Sequence, residues 1–239
     1  SPADGVALLA RAKDETCGGV DAFELMGRNG VAFAIKNIPD VREPLETPQP
    51  WYALIELASG EPGAAEAGME RILARAFEDG LITDAALAQS ETQAAAFWKL
   101  REEQSAGQKP EGAAWKHDVS VPLSRVAAFI EEASAAAQAF LPGVRIVAFG
   151  HVGDGNVHFD VLQPVGHDKA AFMALRDQGS KVVHDIVHAY GGSISAEHGL
   201  GRMKTAEAQG YKSEVALDLM RAVRDAIDPR RIMNPRVLF

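Results

Sequence analysis

Two histidines, His151 and His158, flank the stretch Val152-Gly153-Asp154-Gly155-Asn156-Val157. Asp154-Gly155 between alternating apolar residues signals a two-residue hairpin, because a type I′ turn needs positive φ at both central positions. That turn pairs Gly153 with Asn156, Val152 with Val157 and His151 with His158, opposed Cβ atoms lying about 4.5–5.5 Å apart. Two imidazoles at that separation are able to share one metal ion. A hairpin that merely carries two solvated or hydrogen-bonded histidines is the alternative. The same parity puts Phe149 and Asp160 on the histidine face and turns Ala148, Val157, Phe159 and Val161 toward the core.

A third ligand is available in Ser195-Ala196-Glu197-His198-Gly199-Leu200-Gly201. Successive side chains of extended backbone point to opposite sides, so Glu197 and His198 do different jobs. If Glu197 joins His151 and His158, the result is a two-His, one-carboxylate set suited to Zn²⁺, Mn²⁺ or Fe²⁺, with positions left open for a substrate oxygen. His198, free of the metal, is then placed for proton transfer near neutral pH. By itself the segment reads first as a helix N-terminal carboxylate beside a surface histidine. His184 and His188, at i and i+4, lack the general-base Glu of the zincin motif and fall in a polar stripe with Asp177 and Lys181, a solvated helix face. On the helix through Phe97, Trp98 and Leu100, Arg101 and Ser105 share a face at i, i+4. Arg is a natural bidentate partner for a carboxylate, and Lys116 on the following strand adds a second cation. Without such a ligand both are ordinary surface charges.

The elements that must carry these residues alternate along the chain. Residues 1–30 read as two short helical segments around Cys17-Gly18-Gly19. Pro39, Pro44, Pro48 and Pro50 exclude helix or central strand from Ile38 to Pro50, leaving an extended connection. Trp51–Leu57 reads as a strand, Ala64–Asp79 as a helix capped by Gly80, and Asp84–Gln89 as a short strand. Lys116–Val121 alternates as a strand, Ser124–Leu141 is an Ala-rich helix, and Arg145–Leu162 supplies two strands. A long helix over Lys169–Tyr190 and a last one over Ser213–Ile227 follow. A hairpin is antiparallel, so a doubly wound parallel sheet gives way to an α+β fold: an antiparallel sheet covered by helices, a ferredoxin-like plait. Residues 1–50 form a helical and extended connection, and residues 51–239 the domain that carries the site with a C-terminal helical tail.

The 239 residues hold 24 Lys+Arg against 33 Asp+Glu, a net charge of −9, with 47% hydrophobic residues. An acidic chain of this kind lacks the electrostatic footprint for sequence-independent nucleic-acid binding, and anionic membrane surfaces are disfavoured for the same reason. Cys17, the single cysteine, excludes an internal disulfide and a Cys-based zinc cluster and points to a reducing compartment, the cytoplasm. No apolar run approaches the roughly 18 residues of a spanning helix. The start at Ser1 without an initiator Met suggests a fragment or a processed product.

Three blocks carry a resemblance. Ala148 to His158 is followed by Ala196-Glu197-His198-Gly199-Leu200-Gly201-Arg202-Met203-Lys204. Phe97-Trp98-Lys99-Leu100-Arg101-Glu102 is followed by Glu111-Gly112-Ala113 and by Lys116-His117-Asp118-Val119-Ser120-Val121-Pro122. Asp228-Pro229-Arg230-Arg231-Ile232-Met233-Asn234-Pro235 closes the chain. Together they resemble the C-terminal half of the FAD-linked oxidases of the vanillyl-alcohol-oxidase superfamily, a group that includes D-lactate, glycolate and D-2-hydroxyglutarate dehydrogenases. The resemblance implies that His151, His158 and Glu197 hold a divalent metal, zinc first. It implies that His198 takes the proton of a substrate 2-hydroxyl while the α-hydrogen leaves as hydride to flavin, and that Arg101, Ser105 and Lys116 hold a substrate carboxylate. Asn234 would contact the cofactor. A second carboxylate suits the paired cations, which favours D-2-hydroxyglutarate over D-lactate or glycolate. Three positions depart from the pattern: Ser105 stands where Thr is common, Asp160 where Asn is common, and Arg236 follows Asn234-Pro235 in place of Gly-Lys.

The family's flavin sits mainly in an N-terminal FAD-binding domain whose Gly-rich diphosphate loops have no counterpart in this sequence. The chain is therefore expected to be the substrate- and metal-binding half of a longer enzyme, inactive or slow alone, with a separate electron acceptor and a tendency to self-associate. Two other functions compete: a metal-dependent hydrolase using the same three ligands to activate water, and a non-catalytic cap whose metal only stabilises the fold.

Overall fold

The computed structural model describes residues 1–235 and 237; Arg236, a departure noted above, lies outside the described residues. Five strands form one antiparallel sheet: β1 (Val20–Gly27), β2 (Trp51–Leu57), β3 (Ala114–Ser120), β4 (Arg145–His151) and β5 (Asn156–Leu162), in the spatial order β2-β1-β4-β5-β3. Among the described residues ten α-helices accompany them: α1 (Pro2–Thr16), α2 (Arg28–Asn37), α3 (Ala64–Glu78), α4 (Glu91–Glu102), α5 (Gln104–Gly107), α6 (Val126–Phe140), α7 (Lys169–Ala174), α8 (Arg176–Ala189), α9 (Thr205–Tyr211) and α10 (Glu214–Ile227). None of these is long and apolar enough to cross a membrane.

Period-two alternation sorts the sheet into two faces. Phe23 and Leu25 of β1, Trp115 and Val119 of β3, Ala148 of β4, and Val157, Phe159 and Val161 of β5 enter the main core, under α1, α3, α6 and α8. Met26, Val147, Phe149 and Leu162 point the other way, into a smaller core against α2 and Leu100 at the end of α4. Helices therefore lie on both faces, and the second face is only partly covered. Its uncovered portion, around Lys116, Asp118, His158 and Asp160, is where the chemistry sits.

Run as β3-α6-β4-β5-α8, the second half has the order of a ferredoxin-like unit. Its fourth strand shrinks to a bridge between Ser120 and Ser193, whose backbones exchange hydrogen bonds of 3.0 and 2.8 Å. That bridge lays the Ser195–Gly201 segment along the open edge of β3, beside the end of β5.

Several local expectations change. The 1–50 stretch is not a separate connection, because β1 lies inside it and pairs with both β2 and β4. Buried on both faces, β1 lacks the polar alternation that marks a half-exposed strand, so its pairing partners and not local pattern decide its state. Residues 84–89 have no strand partner and stay irregular. The helix expected over Lys169–Tyr190 is two helices that break at Leu175. His184 is 2% exposed instead of solvated, because α8 turns it into the core beside Val183 and Val187; His188 does face solvent.

Candidate active site

The β4–β5 hairpin is longer than a two-residue turn. Val152–Asp154 form one turn of 3₁₀ helix closed by the Gly155 N–H on the Val152 carbonyl (3.0 Å). Gly155 has φ 74°, and a Cβ there would meet the Val121 carbonyl oxygen at 2.1 Å. Gly150 has φ 151°, and a Cβ on it would meet the Asn156 carbonyl oxygen at 2.8 Å. Both positions demand glycine. The strands consequently pair Phe149 with His158, and His151 lies past the last β4–β5 pair, opposite Glu24 of β1. His151 and His158 do share a face, but they are not cross-strand partners.

The Ser195–Gly201 segment brings Glu197 to both rings. Glu197 Oε1 lies 3.3 Å from His158 Nε2 and 3.8 Å from His151 Nε2. The segment is held by Asp118, which is 3% exposed. Asp118 Oδ2 accepts the backbone N–H groups of Glu197 (3.0 Å) and His198 (2.8 Å). Asn156 Nδ2 donates to both Asp118 Oδ1 (3.1 Å) and Glu197 Oε1 (3.0 Å). Burial alone would raise the Asp118 pKa, but the His198 and Glu197 amides, the His198 ring and Asn156 outweigh it and hold the carboxyl below its ordinary range. Burial lowers the His158 pKa, so that ring is neutral at pH 7, the form in which a histidine ligates metal. His198 is exposed, stacks on His158 with ring centroids 5.5 Å apart, and turns Nδ1 toward Asp118 Oδ2 at 3.7 Å.

Across the same face lies a cationic wall. Arg101, 9% exposed at the end of α4, places Nε on Glu24 Oε2 (2.7 Å), Nη2 3.3 Å from His151 Nε2, and its guanidinium over the Phe149 ring. Ser105 is not on the helix of Arg101: α4 stops at Glu102, and Ser105 sits on the short α5. It still belongs to the site, because Lys116 Nζ donates to Ser105 Oγ (3.0 Å). Lys116 is also 3.6 Å from Asp160, a cross-strand pair of the β3–β5 register. Burial pushes the Asp160 pKa up to about 6 despite that neighbour. Arg101, Ser105, Lys116, Asp118, His158 and His198 all line one cavity of about 340 Å³, into which Lys204 adds a third cation. A larger cavity of about 530 Å³ beside β2 is apolar and shares none of these groups. Asn234 lies apart from the cavity lining, exposed in a C-terminal turn with φ 43°.

Among the described residues, Asp118, His158 and His198 are the group whose ligand atoms all lie within 4.8 Å of one another; the expected set of His151, His158 and Glu197 meets only through Glu197 Oε1, 3.8 Å from His151 Nε2 and 3.3 Å from His158 Nε2. Asp118 Oδ1 and Glu197 Oε1 each accept one N–H, from Asn156, while Asp118 Oδ2 accepts two backbone N–H groups, and His151 is held by Glu24 at Nδ1 and lies 3.3 Å from Arg101 Nη2 at Nε2. Asp118, Glu24, Asn156 and Lys204 are site residues that sequence reasoning did not assign. Asp118 alone carried a local signal: it alternates in phase with Lys116 on β3, a carboxylate at a position that strand parity sends to the histidine face.

Residues 1–238 match the family model described as FAD linked oxidases, C-terminal domain. The chain is 36% identical over 221 residues to a D-2-hydroxyglutarate dehydrogenase of Stutzerimonas stutzeri (strain A1501), covering 91% of this chain and 46% of the relative. It is 35% identical over 217 residues to a probable mitochondrial D-2-hydroxyglutarate dehydrogenase of Oryza sativa subsp. indica, covering 90% of this chain and 37% of the relative. The chain thus spans less than half the length of these relatives. Among solved structures, p-cresol methylhydroxylase with substrate bound superposes with a TM-score of 0.62 at 16% identity, over 99% of this chain and 50% of that one, a likeness of fold. From its first residue to its last but one, the chain belongs to the C-terminal domain family of the FAD linked oxidases.

Proposed function

We propose that this chain is the substrate- and metal-binding half of an FAD- and metal-dependent D-2-hydroxy acid dehydrogenase, with D-2-hydroxyglutarate as the favoured substrate. The observation that carries the reading is one cavity lined by both an acid-binding wall, Arg101 and Lys116, and a proton-transfer group, His198, next to three convergent ligand atoms. Two imidazoles and a carboxylate with open positions suit zinc or another divalent ion. His151, His158 and Glu197 would hold it. When bound, the ion lowers the pKa of a hydroxyl placed on it, and the flavin accepts a hydride.

The chain's own residues supply the rest. Arg101 and Lys116 bind a carboxylate and fix the orientation of the substrate. Ser105, tied to Lys116, adds a hydroxyl to the same wall. His198 receives the 2-hydroxyl proton, and Asp118, 3.7 Å from Nδ1, stabilises the imidazolium that results. Asp160 bears on substrate charge: half-neutral near pH 6 and paired with Lys116, it repels an anion less than a free carboxylate would. Asn234 is a candidate contact to the flavin from the C-terminal turn. A reducing compartment, the cytoplasm, fits the single exposed Cys17, although the rice relative is named mitochondrial.

A substrate panel on the full-length enzyme, with and without a chelator, tests the reading. D-2-hydroxyglutarate should be oxidised faster than D-lactate or glycolate, and chelation should abolish turnover until Zn²⁺ or Mn²⁺ is restored. Full activity after chelation, or ester hydrolysis without flavin, would overturn it.

A further inference from the structure

We infer that Glu24 is a positioning residue that couples the metal ligand His151 to the substrate-holding Arg101. The inference rests on the roles proposed above for those two residues. Glu24 sits in the middle of β1 and is 1% exposed, between the buried residues Phe23 and Leu25. One carboxylate oxygen, Oε2, accepts from Arg101 Nε at 2.7 Å, and the other, Oε1, pairs with His151 Nδ1. The β1–β4 register sets Glu24 directly opposite His151, so this contact is built into the sheet and not into a mobile side chain.

The chemistry of that bridge is specific. A proton held on His151 Nδ1 by Glu24 leaves Nε2 with its lone pair, on the side where Arg101 Nη2 lies at 3.3 Å and Glu197 Oε1 at 3.8 Å. Carboxylate partners of this kind fix the tautomer and ring orientation of ligating histidines and raise their basicity. On the other side, Arg101 is engaged through Nε by Glu24 and through Nη2 by His151 Nε2 at 3.3 Å, which leaves Nη1 for an incoming carboxylate, with the guanidinium held over Phe149, 5.2 Å from the ring centroid. A buried ion pair is a poor source of net stability compared with apolar residues of the same volume. A strand interior otherwise made of Phe23, Leu25 and Met26 would pack well without a carboxylate. Orientation of two site residues at once is what Glu24 adds there.

The test uses the full-length holoenzyme and the isosteric variant Glu24→Gln. Metal affinity is read by competition of Zn²⁺ or Co²⁺ against a chromophoric chelator, with the Co²⁺ visible spectrum as a signature of ligand geometry, and KM is read for D-2-hydroxyglutarate. Glu24→Gln should weaken the ion by about 10- to 100-fold, alter the Co²⁺ spectrum and raise KM. Glu24→Asp, which keeps the charge, should recover part of the affinity. His151→Ala in the same assay separates the two levels of the argument. If wild type binds the ion, His151→Ala loses it and Glu24→Gln binds with wild-type affinity, spectrum and KM, the coupling is wrong while the metal reading stands. If wild type binds no ion and His151→Ala changes nothing, both are wrong. Should Glu24→Gln fail to fold, Glu24→Met/Arg101→Met removes both charges together. Metal affinity must still fall there, and unchanged affinity would overturn the inference.

Discussion

Replacing Asp118 with Asn tests whether one buried carboxylate holds the catalytic segment in place. The substitution keeps shape and volume and removes charge. In the wild type three N–H groups point at this carboxylate: His198 N at 2.8 Å, Glu197 N at 3.0 Å and Asn156 Nδ2 at 3.1 Å. Hydrogen bonds to a charged group contribute about 1.5–3 kcal/mol, and neutral ones about 0.5–1.5 kcal/mol. If the Asn oxygen takes the Oδ2 position, both backbone bonds survive in neutral form, a loss of about 1 kcal/mol each. Its NH₂ then faces the Asn156 NH₂, and Asn156 must flip to offer Oδ1, an atom that has no partner in the wild type. The flip breaks the Asn156 bond to Glu197 Oε1, about 1 kcal/mol more. The total is about 3 kcal/mol, roughly a hundredfold in the opening equilibrium of residues 195–201.

Native-state amide hydrogen exchange at Glu197 and His198 reads that equilibrium directly. Exchange at both amides should accelerate about a hundredfold while amides of β4 and β5 keep their protection. Metal affinity and turnover should fall with it, because Glu197 and His198 both lose their anchor. The pH dependence has a fixed sign. The folded-state pKa of Asp118 is held below its ordinary value, so its stabilisation is present above the unfolded-state pKa and is lost as pH falls through the folded one. At pH 7 the wild type carries the full effect, and the comparison with Asn is clean. Unchanged exchange at Glu197 and His198 would show that some other contact holds the segment and would refute the reasoning.

Two further outcomes concern the fold that presents the site. His117 is buried with Nδ1 2.6 Å from the Phe159 carbonyl and Nε2 3.0 Å from Ser180 Oγ, and burial lowers its pKa to about 4. The unfolded chain therefore binds more protons between pH 6.5 and 4, stability should drop by about 3 kcal/mol as pH falls through that window, and urea midpoints that stay level from pH 7 to pH 4 would contradict the neutral buried state. Gly179→Ala places a Cβ 2.2 Å from the Trp115 ring, which stacks on Phe172 at 4.3 Å; helix propensity favours Ala by about 1 kcal/mol, yet overpacking of about 1–3 kcal/mol should lower Tm, and a raised Tm would show that the ring yields.

The hairpin shows why the site's face was legible and its contacts were not. Asp154-Gly155 correctly marks the reversal, but the turn extends through Val152 because Gly155 must pass under the Val121 carbonyl, a contact between residues distant in sequence. The resulting change moves His158 from opposite His151 to opposite Phe149, a slip of two residues. A slip of one would have sent every side chain to the other face, whereas a slip of two preserves all of them. Hence Ala148, Val157, Phe159 and Val161 reach the core as alternation requires, and His151, His158 and Asp160 share the other side. The partners differ because they come from elsewhere: Glu24 from a strand buried on both faces that reads locally as helix, and Asp118 and Asn156 through the β3–β5 register. Side chains that meet the ligand belong to types whose chemistry shows in a sequence. Those that hold them, a lone Glu in an apolar run or an Asn after a Gly turn, acquire meaning only when the sheet order puts β1 and β3 on opposite sides of the histidine hairpin. The order β1-β4-β5-β3 is therefore itself part of the site, and a change that uncoupled β1 from β4 would disturb His151 and Arg101 together without touching either residue.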